Sequence, residues 1–265
     1  APTAPEHEVA APAVLVDDAG HQLDIVARCE AAVESSLPKR SEGLVQELVD
    51  LLGVPELRRY LRTEFFGSHL RTYSKSRRSA PLYVPLSTRS SEFIIWLNAQ
   101  RVTGDTLFTI QSELLTQKVR LEEGRVAAAR ADGTAGSSKA RKELEKQEAA
   151  LDELHAFADD VRNVAPLWKP NLDDGTAINF APLWRLIPQH KAWQKELKST
   201  WDALCQGEFD WAHLAMHLWP ERVVPKCAKD RSLAISHGLE EVFWAEGTDG
   251  KWTARKRPTR SVDQL

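Results

Sequence analysis

The chain holds one methionine (Met216), three cysteines and no Pro-Pro dipeptide in 265 residues. Cys29, Cys205 and Cys227 are too few and too scattered for a disulfide framework or a zinc cluster. A sparse, odd set fits a reducing compartment, so the expected location is the cytoplasm. No segment approaches the roughly 18 to 20 apolar residues that a membrane span requires, which sets aside a transmembrane protein. A surplus of one charge is lacking too. Thirty-five Lys and Arg face 38 Asp and Glu, for a net charge of −3, so any contact with a polyanion must be a local patch.

The signatures of self-contained chemistry are missing as well. There is no G-x-x-x-x-G-K or G-x-G-x-x-G loop to cradle phosphates, no G-x-S-x-G elbow and no H-E-x-x-H. The Asn/Asp-Pro-Pro-aromatic motif of amino-group methyltransferases is absent. The expectation is a chain without catalytic residues, metal or cofactor of its own.

What is present is a high count of tryptophan, nine in all. The chain starts APTAPEHEVAAPAVLVDDAG, without an initiator Met or a signal-peptide pattern. Trimming of one Met and excision from a longer protein both explain that start. Residues 1–20 read as a flexible leader or linker. Residues 21–104 read as a helical segment with a basic connector and a β-hairpin. Helices are expected near 21–35, 41–52 and 55–70. In the second, Leu44, Leu48, Leu51 and Leu52 form the apolar stripe, Ser41 caps the start and Gly53 ends it. In the third, the stripe is Leu57, Leu61 and Phe65. Residues 82–86 and 92–97 are β-prone and form a hairpin, with Pro85 confining its strand to an edge or bulge.

Residues 105–162 form an antiparallel coiled-coil hairpin. Asp105 caps a helix with Leu107, Leu114, Leu121 and Ala128 at heptad spacing. A Gly/Ser tract at 132–138 makes the tip. Leu144, Leu151 and Ala158, with Leu154 and Val161, line the returning helix. Residues 163–250 make a Trp-rich helical segment. Its helices lie at 189–205, where Trp193, Leu197 and Trp201 share a face, at 210–218 with Asp210 as cap, and at 229–244. Residues 251–265 are a basic, frayed tail. The expected fold is mainly α: an irregular helical bundle with one small β-hairpin and a projecting antiparallel coiled-coil hairpin.

Three sets of residues carry candidate chemistry. His213 and His217 lie four apart on a helix, as two metal ligands do, but packing beside Trp211 and Trp219 explains them better. The tryptophans suit base stacking, yet most belong to a core stripe; Trp168, next to Lys169 in a loop, is the exception. The basic segment is the strongest. Arg58, Arg59, Arg62, Arg71, Lys75, Arg77 and Arg78 are opposed only by Glu64. In SKSRR, small hydroxyl residues let the backbone approach phosphate oxygens, and Arg supplies forked donors. These seven residues and Lys169 form the candidate DNA-binding set. A second cationic stretch, 251–260, holds no acidic residue and is read as the frayed tail.

A string of segments in order then resembles a family. YSKSRRSAPLYVPLST at 73–88, WLNAQRVTGDTLF at 96–108 and LWKPNLDDGTAINFAPLWRL at 167–186 are similar to the carboxy-terminal region of PglX, the adenine-specific DNA methyltransferases of BREX phage-defence systems. HKAWQKELKSTWDAL at 190–204, DWAHLAMHLWPERV at 210–223 and KDRSLAISHGLEEVFW at 229–244 resemble the same region. The likeness spans about residues 24–244. It implies a non-catalytic module of a much longer enzyme that binds S-adenosylmethionine upstream, methylates adenine and grips double-stranded DNA while the base is flipped out. Implied partners are duplex DNA and a catalytic portion or chain. The coiled coil is a candidate surface for other defence proteins, which makes an interaction scaffold the alternative function.

Overall fold

A computed structural model describes residues 12–36, 43–75, 78–131 and 138–260. The chain forms β1 (Val14–Val16), α1 (Ile25–Ser36) and α2 (Leu44–Leu52). Then come α3 (Leu57–Tyr60), a π-helical stretch Leu61–Phe65 and α4 (Phe66–Thr72), followed by β2 (Ser74–Lys75), β3 (Arg78–Ser79), β4 (Tyr83–Ser87) and β5 (Ile94–Asn98). The long hairpin is α5 (Thr106–Thr109), a second π-helical stretch Ile110–Leu115, α6 (Thr116–Ala131) and α7 (Ser138–Val164). After it come α8 (Thr176–Phe180), α9 (Lys191–Gln206), α10 (His213–Leu218), α11 (Pro220–Cys227), α12 (Arg231–Ser236), α13 (Glu240–Phe243), β6 (Trp244–Glu246) and β7 (Trp252–Ala254). The fold is mainly α with small antiparallel sheets. It divides into two compact units. One comprises the described residues up to Arg162 with Leu186–His190, the other Asn163–Arg185 and the described residues from Lys191 onward.

The first unit is built around β5. Its run Ile94, Ile95, Trp96, Leu97 is exposed by 1% or less, as expected for a strand covered on both faces. Burying each such side chain contributes about 1.5–3 kcal/mol. The sheet order is β1-β5-β4. Pro85 pairs opposite Trp96, and because β4 is an edge strand its missing N–H costs no ladder bond. The other edge is β1, where Val14, Leu15 and Val16 pair with Leu97, Trp96 and Ile95. Those three residues therefore belong to the sheet and not to a leader.

The α3–α4 and α5–α6 elements each contain a π-helical turn, which inserts one extra residue and rotates everything beyond it. Heptad spacing from Leu107 leads to Leu114, Leu121 and Ala128. The inner face runs instead through buried Leu115 and Val126 with half-buried Val119, Glu122 and Ala129, one residue later. Leu121 is left 49% exposed. The first long helix shows the same slip: beyond Leu61 the buried residues are Phe66, His69 and Leu70. In α7 no such turn intervenes, and Leu154 and Val161 are buried where the spacing puts them. Arg130 pairs with Glu148 at 2.6 Å and Glu123 with His155 at 3.1 Å, so α6 and α7 run antiparallel in one register. The base of this hairpin is fastened to the β4–β5 turn. Phe157 packs edge-on against Phe93, and Glu153 accepts both the N–H and the hydroxyl of Ser90.

Other local expectations change. Leu48, Leu51 and Leu52 are exposed and α2 buries Val49; Gly53 does end the helix in the left-handed conformation, φ 65°. Ser41 lies outside the described residues. Asp105 makes no side-chain cap; Thr106 Oγ1 accepts the N–H of Thr103 at 2.8 Å. Helix α10 begins at His213, and its capping carboxylate is Asp174, 39 residues upstream, which accepts the N–H groups of His213 and Leu214 at 2.8 and 2.9 Å. Asp210 instead pairs with Arg222 and Lys226. The helix expected at 229–244 is broken by Gly238, φ 64°, into α12 and α13.

The second unit buries Leu204, Leu214, Val223, Val224, Cys227 and Val242 among others, with Trp201, Trp219 and Trp244 packed against them. In the stretch expected to be a frayed tail, β7 pairs with β6, and the N–H groups of Arg255 and Thr259 donate to Phe243 O and Val242 O. Among the described residues no helix is long and apolar enough to cross a membrane.

Candidate nucleic-acid interface

The basic segment starts on α3. Arg58 fills its guanidinium with carboxylates: it donates to Asp24 at 2.7 and 2.9 Å, two-pronged, and also to Asp17. Arg62 Nε donates to Asp17 at 2.8 Å. Both carboxylates are buried, Asp24 to 4% exposure. Hydrogen bonds and charge from Asp24 and Asp17 outweigh burial and hold the Arg58 pKa well above its ordinary value. Burial alone would raise the Asp24 carboxyl, but the Arg58 hydrogen bond and charge overcome it and the pKa is lowered. These two arginines clamp the long helix to the segment between β1 and α1. Their charge is matched inside the fold, which removes them from the cations that face solvent alone.

Arg59 and Arg71 are exposed. Arg71 Nη2 donates to Ser68 Oγ at 2.8 Å, one turn back on α4. Beyond α4 the chain turns outward into a two-stranded ribbon, β2 and β3, with Ser74 opposite Ser79 and Lys75 opposite Arg78. Arg77 lies outside the described residues. Lys75 and Arg78 thus end the two strands in the stretch expected to be a non-helical connector.

The root of this ribbon is stapled. His69 Nε2 accepts the backbone N–H groups of Leu82 and Tyr83, both at 3.0 Å. Ser74 Oγ donates to Leu70 O at 2.6 Å, and the N–H of Ala80 donates to Tyr73 O at 3.1 Å. The chain therefore leaves the core at residue 70 and returns at residue 81 with both ends fixed. Burial lowers the pKa of His69, which keeps the imidazole in the neutral form that this acceptor role demands. Phe65 stacks on its ring at 5.1 Å and Tyr73 lies against it at 4.8 Å. Tyr73, 40% exposed, stands at the foot of the basic ribbon. From the sequence Tyr73 is expected as the one core residue of 71–80, yet it is exposed, and His69 was passed over; the aromatic spacing Phe65, His69, Tyr73 at four-residue steps was the available signal.

Lys169 is exposed and belongs to the second unit, whereas the ribbon belongs to the first. Its charge and, more strongly, burial lower the pKa of nearby His217. Trp168 is not a stacking platform. It is fully buried, and its Nε1–H donates to Asn179 O at 2.6 Å. His213 Nδ1 hydrogen-bonds Asp174 at 2.9 Å and its ring meets His237 edge-on at 6.0 Å. Among the described residues no group of three or more His, Cys, Asp or Glu side chains is arranged to hold a metal ion. No protein-family model and no curated protein matches the chain.

Proposed function

We propose that the chain is a non-catalytic, carboxy-terminal DNA-contacting module of an adenine-specific DNA methyltransferase in a BREX-like phage-defence system. S-adenosylmethionine belongs to the catalytic portion, in the same polypeptide or in a companion chain. One feature supports the DNA contact: the sequence carries Lys75, Arg77 and Arg78 between Ser74 and Ser79, a stretch whose root is stapled by His69. A cationic segment fixed at both of its ends meets phosphates at lower entropic cost than one with free ends. Phosphate contacts of this kind fix the protein's position on the duplex without reading bases.

The test is the triple change of Lys75, Arg77 and Arg78 to Ala, with duplex affinity measured by fluorescence anisotropy at several salt concentrations. Binding is expected to weaken for every sequence, and the salt slope to flatten by up to about three units. Unchanged affinity and slope would return the three cations to an ordinary solvated surface.

The α6–α7 hairpin supports a second function, recruitment of another defence protein. Leu121 on α6 and Phe108 on α5 are 49% and 46% exposed, beyond what the hairpin needs for itself. Sedimentation that shows self-association insensitive to salt favours this alternative.

A further inference from the structure

The cationic stretch 251–260 is held in place. Strand β7 pairs with β6, Trp252 opposite Glu246. The guanidinium of Arg231 lies 4.4 Å over the Trp252 ring and is itself fixed by Glu240 at 2.6 Å. Beyond the strand the chain is tied twice to α13. The N–H of Arg255 donates to Phe243 O at 2.8 Å and that of Thr259 to Val242 O at 3.1 Å. Arg255 Nε adds bonds to the carbonyls of Trp244 at 2.8 Å and Glu241 at 3.1 Å. Lys256, Arg257 and Pro258 therefore form a three-residue loop anchored on both sides. Among the described residues, Lys256, Arg257 and Arg260 have no carboxylate partner, and Lys251 meets Asp249 only at 3.7 Å. Glu241 and Glu246 line the shallow cavity beside Arg255 and Arg260, whereas Lys256 and Arg257 stand outside it.

We propose that this anchored loop is a second contact for the DNA phosphodiester backbone, made by Lys256 and Arg257 and assisted by Arg260. The inference rests on the DNA-contacting function above and extends it to the second unit. The chemistry repeats that of the ribbon: cations interleaved with hydroxyl residues, here Thr253 and Thr259, the mix that meets phosphate oxygens. Every residue of 253–260 is exposed and the loop carries no aromatic or long aliphatic side chain. A lipid surface has nothing there to insert, and a protein interface lacks its apolar centre. Exposed cations held by backbone anchors fit a linear polyanion.

The experiment measures duplex binding by the full chain against salt concentration for the parent, K256A/R257A, the conservative swap K256R/R257K and the ribbon triple variant. Each lost phosphate contact removes up to about 0.9 from the salt slope, roughly eightfold in affinity near 0.1 M salt. K256A/R257A is expected to bind roughly eight- to sixty-fold more weakly with a flatter slope, and the conservative swap to bind as the parent does. Tryptophan fluorescence verifies that β6 and β7 remain paired. Parent-like affinity and slope in K256A/R257A overturn the inference, while the ribbon variant judges the wider DNA function separately. No binding by the parent at low salt overturns both. Loss of adsorption to phosphatidylglycerol vesicles in K256A/R257A, with DNA affinity intact, overturns it in favour of a lipid surface.

Discussion

His69 Nε2 accepts the backbone N–H of Leu82 at 3.0 Å, across 13 residues of chain. With its second bond, from Tyr83, this contact joins the end of α4 to the start of β4 and makes the basic ribbon an excursion with a fixed base. The bond exists only while the imidazole is neutral, so protonation opposes folding.

The pH dependence follows from the direction of the shift. The folded pKa lies below the ordinary 6.5, so the unfolded chain takes up the proton first. The stabilisation is complete above about pH 6.5 and is lost as the pH falls through the folded value. Urea midpoints should fall between pH 7.5 and 5 in the parent and much less in His69→Gln. The Gln Oε1 can take over the two N–H groups, so at pH 7.5 that variant should stay close to the parent, whereas His69→Ala, which leaves Leu82 and Tyr83 without this acceptor, should lose about 1–3 kcal/mol. Equal pH slopes in the two proteins would remove His69 from this role.

Arg58 is a clamp in the fold, and its loss should register as instability. Arg58→Ala leaves the buried Asp17 and Asp24 carboxylates short of a partner and should cost about 3 kcal/mol in denaturant unfolding, with Arg58→Lys intermediate because the two-pronged grip on Asp24 is lost. Asp24 has a lowered pKa, so its share of stability is present above its ordinary value of 3.8 and disappears as the pH drops below it. Folded Arg58→Ala should retain the parent's salt slope for DNA. A slope reduced by one unit would instead make Arg58 a phosphate contact.

The sequence marks Arg58 as a cation but cannot show that its partners are Asp17 and Asp24, because Asp17 sits in the stretch read as a leader and Asp24 in an expected helix more than 30 residues upstream. Only the pairing of Val14, Leu15 and Val16 with β5 brings them to α3. Heptad spacing located both arms of the α6–α7 hairpin, and Pro85 identified the edge strand. What spacing misses is the π-helical turn. It slips the buried face from Leu114 to Leu115 and from Phe65 to Phe66, and nothing in the apolar pattern announces an inserted residue. The order of the tail was hidden for a different reason. It depends on Trp252 meeting Arg231, 21 residues upstream, and on two carbonyls accepting Arg255 from 11 and 14 residues upstream.

Trp168 should behave as core. Replacing it with Phe removes the bond to Asn179 O while retaining most of the ring volume, for a loss of about 1–3 kcal/mol. DNA affinity should be unchanged at every salt concentration. Weaker binding by a folded Trp168→Phe protein, with stability intact, would revive the stacking role.

The α6–α7 hairpin should tolerate shortening at its tip because its anchors are at its base. Glu123 faces His155 and Arg130 faces Glu148, so four residues on from Glu123 and four back from His155 place Ala127 opposite Leu151. Removing 128–150 and joining those ends through a short Gly/Ser linker keeps Val126, Leu154, Phe157 and Val161. It also keeps the Glu153 bonds to Ser90 and the Lys118 pair with Asp18 at 2.9 Å. The shortened helices lose their distal ion pairs, which at exposed positions contribute little, about 0–1 kcal/mol each. Cooperative unfolding should persist, with a small fall in melting temperature read by circular dichroism. If DNA affinity is unchanged while recruitment of a protein partner is lost, the distal hairpin serves that partner. Loss of cooperative folding would show that the distal half stabilises the first unit, and the recruitment function would then lose its separable arm.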